Sequence, residues 1–207
     1  MTEQQPYEVM RAFGDFELRR YPQHMVAEVA VDGRFETAGN RAFRYLFSYI
    51  SGQNEPAERV AMTAPVVQQA RGGSKIAMTA PVVQQQAGSR SDAADGGFLV
   101  AFVLPATFTT ATAPRPTDPR VRVRTVPASL AAALRYRGRW TEAGYDEHLD
   151  RLRKAIAANG LVATGAPRFA RFDPPLRPAF LRHNEVLLDV AEPDGGGHAP
   201  GDTGARS

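Results

Sequence analysis

Two stretches of the chain repeat one pattern, in which an apolar strand leads through a glycine turn into a helix. Residues 33–39 (GRFETAG) and 138–144 (GRWTEAG) share glycine, arginine, an aromatic ring and Ala-Gly at matching positions. After each stretch, apolar residues recur at steps of three and four, which is the spacing of one helix face. The corresponding positions are Phe43, Leu46 and Ile50 in the first helix, and Leu149, Leu152 and Ile156 in the second.

This repeat constrains the fold. It predicts two strand–helix–strand halves, about residues 7–105 and 120–191, related by a pseudo-twofold axis. Such halves build an α+β fold, namely a distorted antiparallel β-barrel with two α-helices. The groove between two related halves is a natural ligand site. We expect a single domain over residues 7–191, with a flexible N-terminus at residues 1–6 and a disordered tail at 192–207.

A second, shorter repeat lies after the first helix. VAMTAPVVQQ at residues 60–69 returns as IAMTAPVVQQ at residues 76–85, with a Gly-Gly-Ser sequence in the connector. Two apolar, β-branched runs around such a turn predict an antiparallel hairpin. Pro65 and Pro81 lack the amide proton that a central strand donates, so each run is expected to bulge or reach a sheet edge. The repeat either only lengthens a hairpin or forms part of a pocket.

The first helix is unusually rich in aromatic side chains. Phe35, Phe43, Tyr45, Phe47 and Tyr49 stand close together. The simpler interpretation places all of these rings in the core. The alternative is that a flat apolar ligand lies against part of this face.

Composition excludes several classes of function. The chain has no cysteine, which rules out disulfides, thiolate catalysis and zinc–cysteine sites. The net charge is only +3 and there is no polybasic block, so nucleic-acid binding is not expected. No apolar signal core or membrane-length run is visible, and we expect a cytoplasmic protein that is a monomer by default.

Arginine and valine alternate in residues 120–127, RVRVRTVP. This alternation predicts a strand with one packed face and one wet face. The arginine face is either a solvated sheet surface or an anion site.

The histidines show no metal-ligand spacing, and no hydrolytic motif accompanies them. His148 and His183 are isolated in sequence. His24 differs because it clusters with Tyr21 and Met25, and all three residue types can ligate haem iron.

Taken together, these motifs resemble the SOUL haem-binding family over almost the whole range from residue 7 to 191. The segments that carry the resemblance are RRYP (19–22), VAE (26–28), GRFETAGNRAFRYLFSYISG (33–52), the MTAPV phrases, FVLP (102–105), PTDPRVRVRTVP (116–127), RYRGRW (135–140), DPPLRPAFLR (173–182) and NEVLLDV (184–190).

The resemblance implies that haem or free porphyrin binds in an apolar groove beside the first helix, with basic residues at the propionates. Axial ligation is not uniform in the family, and His24 is the possible ligand here. The sequence departs from the family pattern by carrying MTAPV twice, the first copy standing at the expected distance from the helix. The remaining candidates are Phe43, Phe47, Met62 and Met78 for the groove, and Arg59, Lys75 and Arg182 for the propionates.

The leading hypothesis is therefore a tetrapyrrole-binding buffer, carrier or sensor without catalytic residues. One alternative is a hydrolase-like enzyme that modifies a small molecule in the same groove, with Glu28, Glu142 or Glu185 as its acid. Another is a sensor or scaffold that acts through a protein partner. A buried, unpaired glutamate in the groove would favour the enzyme, whereas apolar walls with a basic rim would favour the binder.

Overall fold

The computed structural model describes residues 3–55, 79–80, 82–86, 97–172 and 177–191. Two α-helices pack on one face of a nine-stranded antiparallel sheet in these residues. The α+β class and the barrel-like architecture expected from the sequence are confirmed, although the sheet does not close.

The strands, in chain order, are β1 (Glu3–Gln4), β2 (Glu8–Ala12), β3 (Glu17–Tyr21), β4 (His24–Val31), β5 (Asn54–Glu55), β6 (Thr79–Ala80), β7 (Val82–Gln86), β8 (Phe98–Val103), β9 (Arg115–Pro116), β10 (Val121–Val126), β11 (Ser129–Arg137), β12 (Ala163–Arg171) and β13 (His183–Val190). The helices are α1 (Phe35–Ile50) and α2 (Glu142–Ala158), with one 3₁₀ turn at Ala179–Leu181.

The strand order of the main sheet carries the predicted twofold relation. The order is β10-β4-β8-β7-β12-β13-β11-β3-β2. We leave β2 aside and exchange β3 with β10, β4 with β11, β7 with β12 and β8 with β13. The exchange gives the same strand order, read from the opposite edge of the sheet. The pseudo-twofold axis therefore passes between β7 and β12, with one helix on each side of it.

A glycine with positive φ connects each helix to the strand before it. Gly33 has a φ of 123° and Gly138 a φ of 138°, a backbone region that L side chains rarely adopt. Helix α1 then begins at once, whereas α2 begins later because Thr141 is its N-cap and accepts a hydrogen bond from Gly144 N. Glu36 of α1 accepts a hydrogen bond from the backbone N–H of Glu142, which joins the two helix N-termini.

Strand alternation separates the sheet into two faces. In β4, Met25 and Ala27 pack in the core beneath the helices, whereas Val26 belongs to a separate apolar cluster on the opposite face. In β8, Phe102 likewise joins the helix-side core and Val103 joins that second cluster. The opposite side is called the helix-free face below.

The repeated MTAPV phrase is described only in its second copy. Thr79–Ala80 pairs parallel with β1, and Val82–Gln86 forms β7 between β8 and β12. The first copy, the connector and Pro81 lie outside the described residues, so the hairpin stays a prediction. The VVQQ end of the second copy is part of the central sheet.

Candidate functional site

Helix α1 presents two stacked phenylalanine rings to solvent. The ring centroids of Phe43 and Phe47 are 5.4 Å apart with an interplanar angle of 14°, and the residues are 39% and 46% exposed. Phe43 also contacts Phe102 of β8 edge-on, with centroids 5.6 Å apart. Because these rings stand four residues apart, they form one flat patch at the border of the buried helix face. We call Phe43 and Phe47 the aromatic ledge.

The other aromatic residues of α1 are structural. Phe35 and Tyr49 are almost fully buried in the core, and the Tyr49 hydroxyl donates a hydrogen bond to Pro114 O. Tyr45 lies beneath the guanidinium of Arg120, 4.1 Å from its ring centroid. The core interpretation therefore holds for Phe35 and Tyr49, and Tyr45 is a partly buried ring packed against the core. The ligand interpretation is left to the ledge.

One cation beside the ledge was not predicted from the sequence. Arg44 is exposed and stands three positions before Phe47, which makes the two side chains neighbours on the helix surface. Its guanidinium donates a hydrogen bond to the Tyr45 hydroxyl at 3.2 Å. The helical spacing was the signal that could have found it.

The predicted propionate partner Arg182 lies elsewhere. Its guanidinium stacks on the indole of Trp140, 4.3 Å from the ring, just before α2. Its Nε donates to the Arg177 carbonyl at 2.8 Å. The candidates that lie outside the described residues are Arg59, Met62, Lys75 and Met78.

His24 is on the other side of the sheet from the ledge. Its Nδ1 is 2.9 Å from the carbonyl of Pro22 and its Nε2 is 3.1 Å from Gln5 Nε2. A proton on Nδ1 satisfies both contacts, because Nδ1 then donates to Pro22 and Nε2 accepts from Gln5. Burial lowers the pKa of His24, which keeps the imidazole neutral. The structure does not bring His24 together with Phe43 and Phe47.

The predicted cluster of possible iron ligands around His24 is also divided. Met25 packs under the helices, and its sulfur accepts a hydrogen bond from Thr125 Oγ1 at 3.1 Å. Tyr21 packs on the helix-free face with His24. Consecutive strand residues point to opposite faces, so proximity in sequence does not make a shared site here.

The helix-free face holds a cavity of about 320 Å³, which we call the helix-free pocket. Aromatic rings and aliphatic side chains form much of its lining, and charged side chains stand among them. The larger apolar lining residues are Tyr7, Tyr21, Val26, Val83, Leu99, Val103, Val126, Phe172 and Leu187.

A buried ionic network lies at one side of this pocket. Glu185 accepts hydrogen bonds from Arg19 at 2.8 and 3.1 Å and contacts His183 Nε2 at 3.1 Å and Arg135 Nε at 3.3 Å. Burial raises the pKa of Glu185, but hydrogen bonds from His183 and Arg19 outweigh burial and lower it to about 2. Glu185 is therefore ionised at neutral pH and is a poor proton acceptor.

Glu28 and Glu142, the other two acids proposed for an enzyme, lie on different sides of the sheet. Glu28 lines the helix-free pocket and accepts a hydrogen bond from Arg124 Nε at 2.8 Å. Glu142 begins α2, on the helix side of the sheet. Neither pocket glutamate is unpaired, so the feature that would favour an enzyme is not met by Glu28 or Glu185.

The arginine–valine alternation in β10 is confirmed. Val121 and Val123 pack with the helix-side core, and Arg124 lines the helix-free pocket. Arg122 is exposed, two residues earlier on the same strand face. Arg124 therefore belongs to the pocket, whereas Arg122 is solvated.

The remaining histidines have aromatic partners. His148 stacks on Tyr136 with centroids 3.9 Å apart, and His183 stacks on Phe172 at 4.3 Å. No group of three or more His, Asp or Glu side chains suited to a metal ion occurs in the described part of the chain.

Comparison with known proteins identifies the family of this two-helix α+β domain. The model of the SOUL heme-binding protein family matches residues 2–73 and 67–189. The chain therefore belongs to the SOUL heme-binding protein family. None of the curated proteins compared with the chain matches it.

Solved structures share the fold at low sequence identity. The EcmrR–DNA complex is similar with a TM-score of 0.58 and 11% identity, covering 89% of this chain and 57% of that chain. The EcmrR C-terminal domain gives 0.53 and 11%, covering 90% and 98%. A hydrolase from Listeria innocua gives 0.52 and 13%, covering 92% and 94%. The chain thus spans little more than half of the EcmrR chain in the DNA complex and nearly all of the other two.

No helix within the described ranges is both long enough and apolar enough to cross a membrane.

Proposed function

We propose that the protein binds a tetrapyrrole, either haem or free porphyrin, with the ring lying on the aromatic ledge. Family membership supports the ligand class. The observation that carries the location is the stacked, half-exposed pair Phe43 and Phe47. A flat apolar patch at a helix surface is complementary to a flat apolar ring.

Most of the affinity comes from apolar contact. Stacking on each phenylalanine contributes about 0.5–1.5 kcal/mol beyond the area that it buries. A propionate paired with exposed Arg44 adds only about 0–1 kcal/mol. Met62 and Met78, which lie outside the described residues, stay proposed groove residues.

Binding at the ledge does not use His24 as an iron ligand, because the sheet separates them. His148 and His183 contact Tyr136 and Phe172 rather than the ledge rings. No histidine of the described residues is therefore placed at the ledge, and the proposal is that the apolar ring, rather than the metal, is the recognised group. The proposed role is that of a cytoplasmic buffer, carrier or sensor, with the protein's residues binding and orienting the ring.

Titration of the wild-type protein with haem and with protoporphyrin IX, followed by absorbance and by Trp140 fluorescence, tests this proposal. Both ligands are expected to bind saturably, with dissociation constants within about threefold of each other, which is less than 1 kcal/mol. Absence of saturable binding by either ring would overturn the function. Haem binding more than about tenfold tighter would overturn recognition of the ring alone.

A further inference from the structure

The helix-free pocket has polar atoms that nothing in the described structure satisfies. Arg168 Nε and Ser129 Oγ are buried, line the pocket and have no hydrogen-bond partner among the described residues. Buried polar groups are nearly always hydrogen-bonded in native proteins, so each such exception needs an explanation. Because both residues line the cavity, a ligand bound there is a source of the missing hydrogen-bond partner.

We propose that the helix-free pocket binds a second ligand, a flat apolar molecule that carries a carboxylate, with the carboxylate at Arg168. The apolar body would lie on the aromatic and aliphatic lining, which includes Tyr7, Tyr21 and Leu187. The pocket and the aromatic ledge are on opposite faces of the sheet, so this site does not depend on tetrapyrrole binding at the ledge.

The balance of donors and acceptors selects an anionic ligand. Arg124, Arg135 and Arg168 line the pocket. Among the described residues, each makes one side-chain ion pair, with Glu28, Glu185 and Asp189 respectively. A guanidinium has five N–H donors, so donors remain in excess after these pairs form. A cationic ligand would need a carboxylate that is not already paired, and none of these three carboxylates meets that need.

Arg168 is the best placed of the three arginines. Its side chain is 18% exposed, compared with 47% for Arg124 and 57% for Arg135. An ionic hydrogen bond is stronger where water competes less. His24, Arg124 and Arg168 all line the pocket, and burial, together with the positive charges of the two arginines, lowers the pKa of His24.

Three fluorescent probes with one ring system and different charges test the proposal: 4-(1-pyrenyl)butyrate, 4-(1-pyrenyl)butanol and 4-(1-pyrenyl)butylamine. The butyrate is expected to bind the wild type at least about tenfold more tightly than the alcohol, with the amine weakest. Equal binding of the three probes, or tightest binding of the amine, would overturn the proposal.

Variants locate the binding. Arg168→Gln is expected to reduce the preference for butyrate over alcohol to within about twofold. Arg122→Gln removes the same charge at an exposed position of β10 and is expected to leave the preference intact. Phe43→Ala/Phe47→Ala is also expected to leave it intact. Loss of the preference in the ledge variant, or its persistence in Arg168→Gln, would contradict a carboxylate site at Arg168.

An NMR titration of His24 in the wild-type protein tests the placement without a variant. The groups that face His24 are the charges of Arg168 and Arg124, the Gln5 amide and the Pro22 carbonyl. A carboxylate at Arg168 offsets the two positive charges, so saturating butyrate is expected to raise the pKa of His24 in an NMR titration. The alcohol is expected to leave it unchanged, and no difference between the two probes would overturn the placement.

Discussion

Replacing Glu185 by glutamine is expected to lower the free energy of unfolding by about 3 kcal/mol, because Arg19 loses its buried counter-charge and keeps, among the described residues, only that of Glu17, whose side chain is 38% exposed. The Glu185 and Arg19 side chains are 2% and 1% exposed, and they meet through two hydrogen bonds. Burial lowers the pKa of Arg19, but the hydrogen bond and charge of Glu185 outweigh it and raise the pKa further from neutral. Arg19 therefore stays protonated, and its positive charge remains after the substitution. Urea unfolding followed by circular dichroism measures the difference.

Two further variants separate this effect from general disturbance. Arg19→Met/Glu185→Leu removes both charges and keeps similar volumes, so it is expected to be far more stable than Glu185→Gln. Glu28→Gln breaks a pair whose arginine is 47% exposed, and its cost is expected to be about 1 kcal/mol or less. If the double variant were no more stable than the single one, the uncompensated charge would not be the cause.

The same pair predicts a pH dependence of stability. The pKa of Glu185 is lowered to about 2 in the folded protein, compared with about 4.3 in an unfolded chain. Its ionised form therefore stabilises the fold fully above pH 4.3, and this contribution is lost as the pH falls towards 2. The difference in stability between the wild type and Glu185→Gln is expected to shrink across that window. A difference that stays constant would contradict the assigned ionisation.

The double variant Phe43→Ala/Phe47→Ala weakens protoporphyrin IX binding by about 30-fold, or about 2 kcal/mol, because it removes both stacking rings. The two residues are 39% and 46% exposed, so the stability of the fold is expected to change little. Phe180→Ala is the matched control, since Phe180 is 71% exposed and lies outside α1. An affinity of the ledge variant equal to that of the control would contradict the proposed location.

The local part of the fold was predictable from the sequence. The period-two pattern correctly predicted β10 and the period-3.6 pattern both helices. The repeated strand–glycine–helix pattern correctly predicted the turns at Gly33 and Gly138. These features were predictable because they depend on neighbours in the chain. The twofold strand order also followed from the matching helix introductions. What the sequence did not predict was that β3 and β10 each pair with a strand of the other half.

The candidate site was harder to predict because a shared site depends on which face of the sheet each side chain occupies. His24 was proposed because its residue type can ligate haem iron and Phe43 because of the family resemblance, but the sheet lies between them. The Arg19–Glu185 pair joins residues 166 positions apart, and only long-range pairing of β3, β11 and β13 brings them together. Glu185, which directly precedes the apolar run Val186, Leu187 and Leu188 of β13, was the available signal, since a charged residue is seldom buried without a partner. No such signal marked Arg19, because β3 (ELRRY) carries three charged residues.

The proposal that the tetrapyrrole lies on the helix side of the sheet is tested most directly by NMR with protoporphyrin IX. In protein labelled at phenylalanine rings and valine methyl groups, the ring current of the bound porphyrin shifts the NMR signals of nearby side chains. Phe43 and Phe47 are expected to shift strongly at saturation, whereas Val26 and Val103 in the helix-free pocket are expected to stay in place. Shifts of Val26 and Val103 with unchanged Phe43 and Phe47 signals would contradict it.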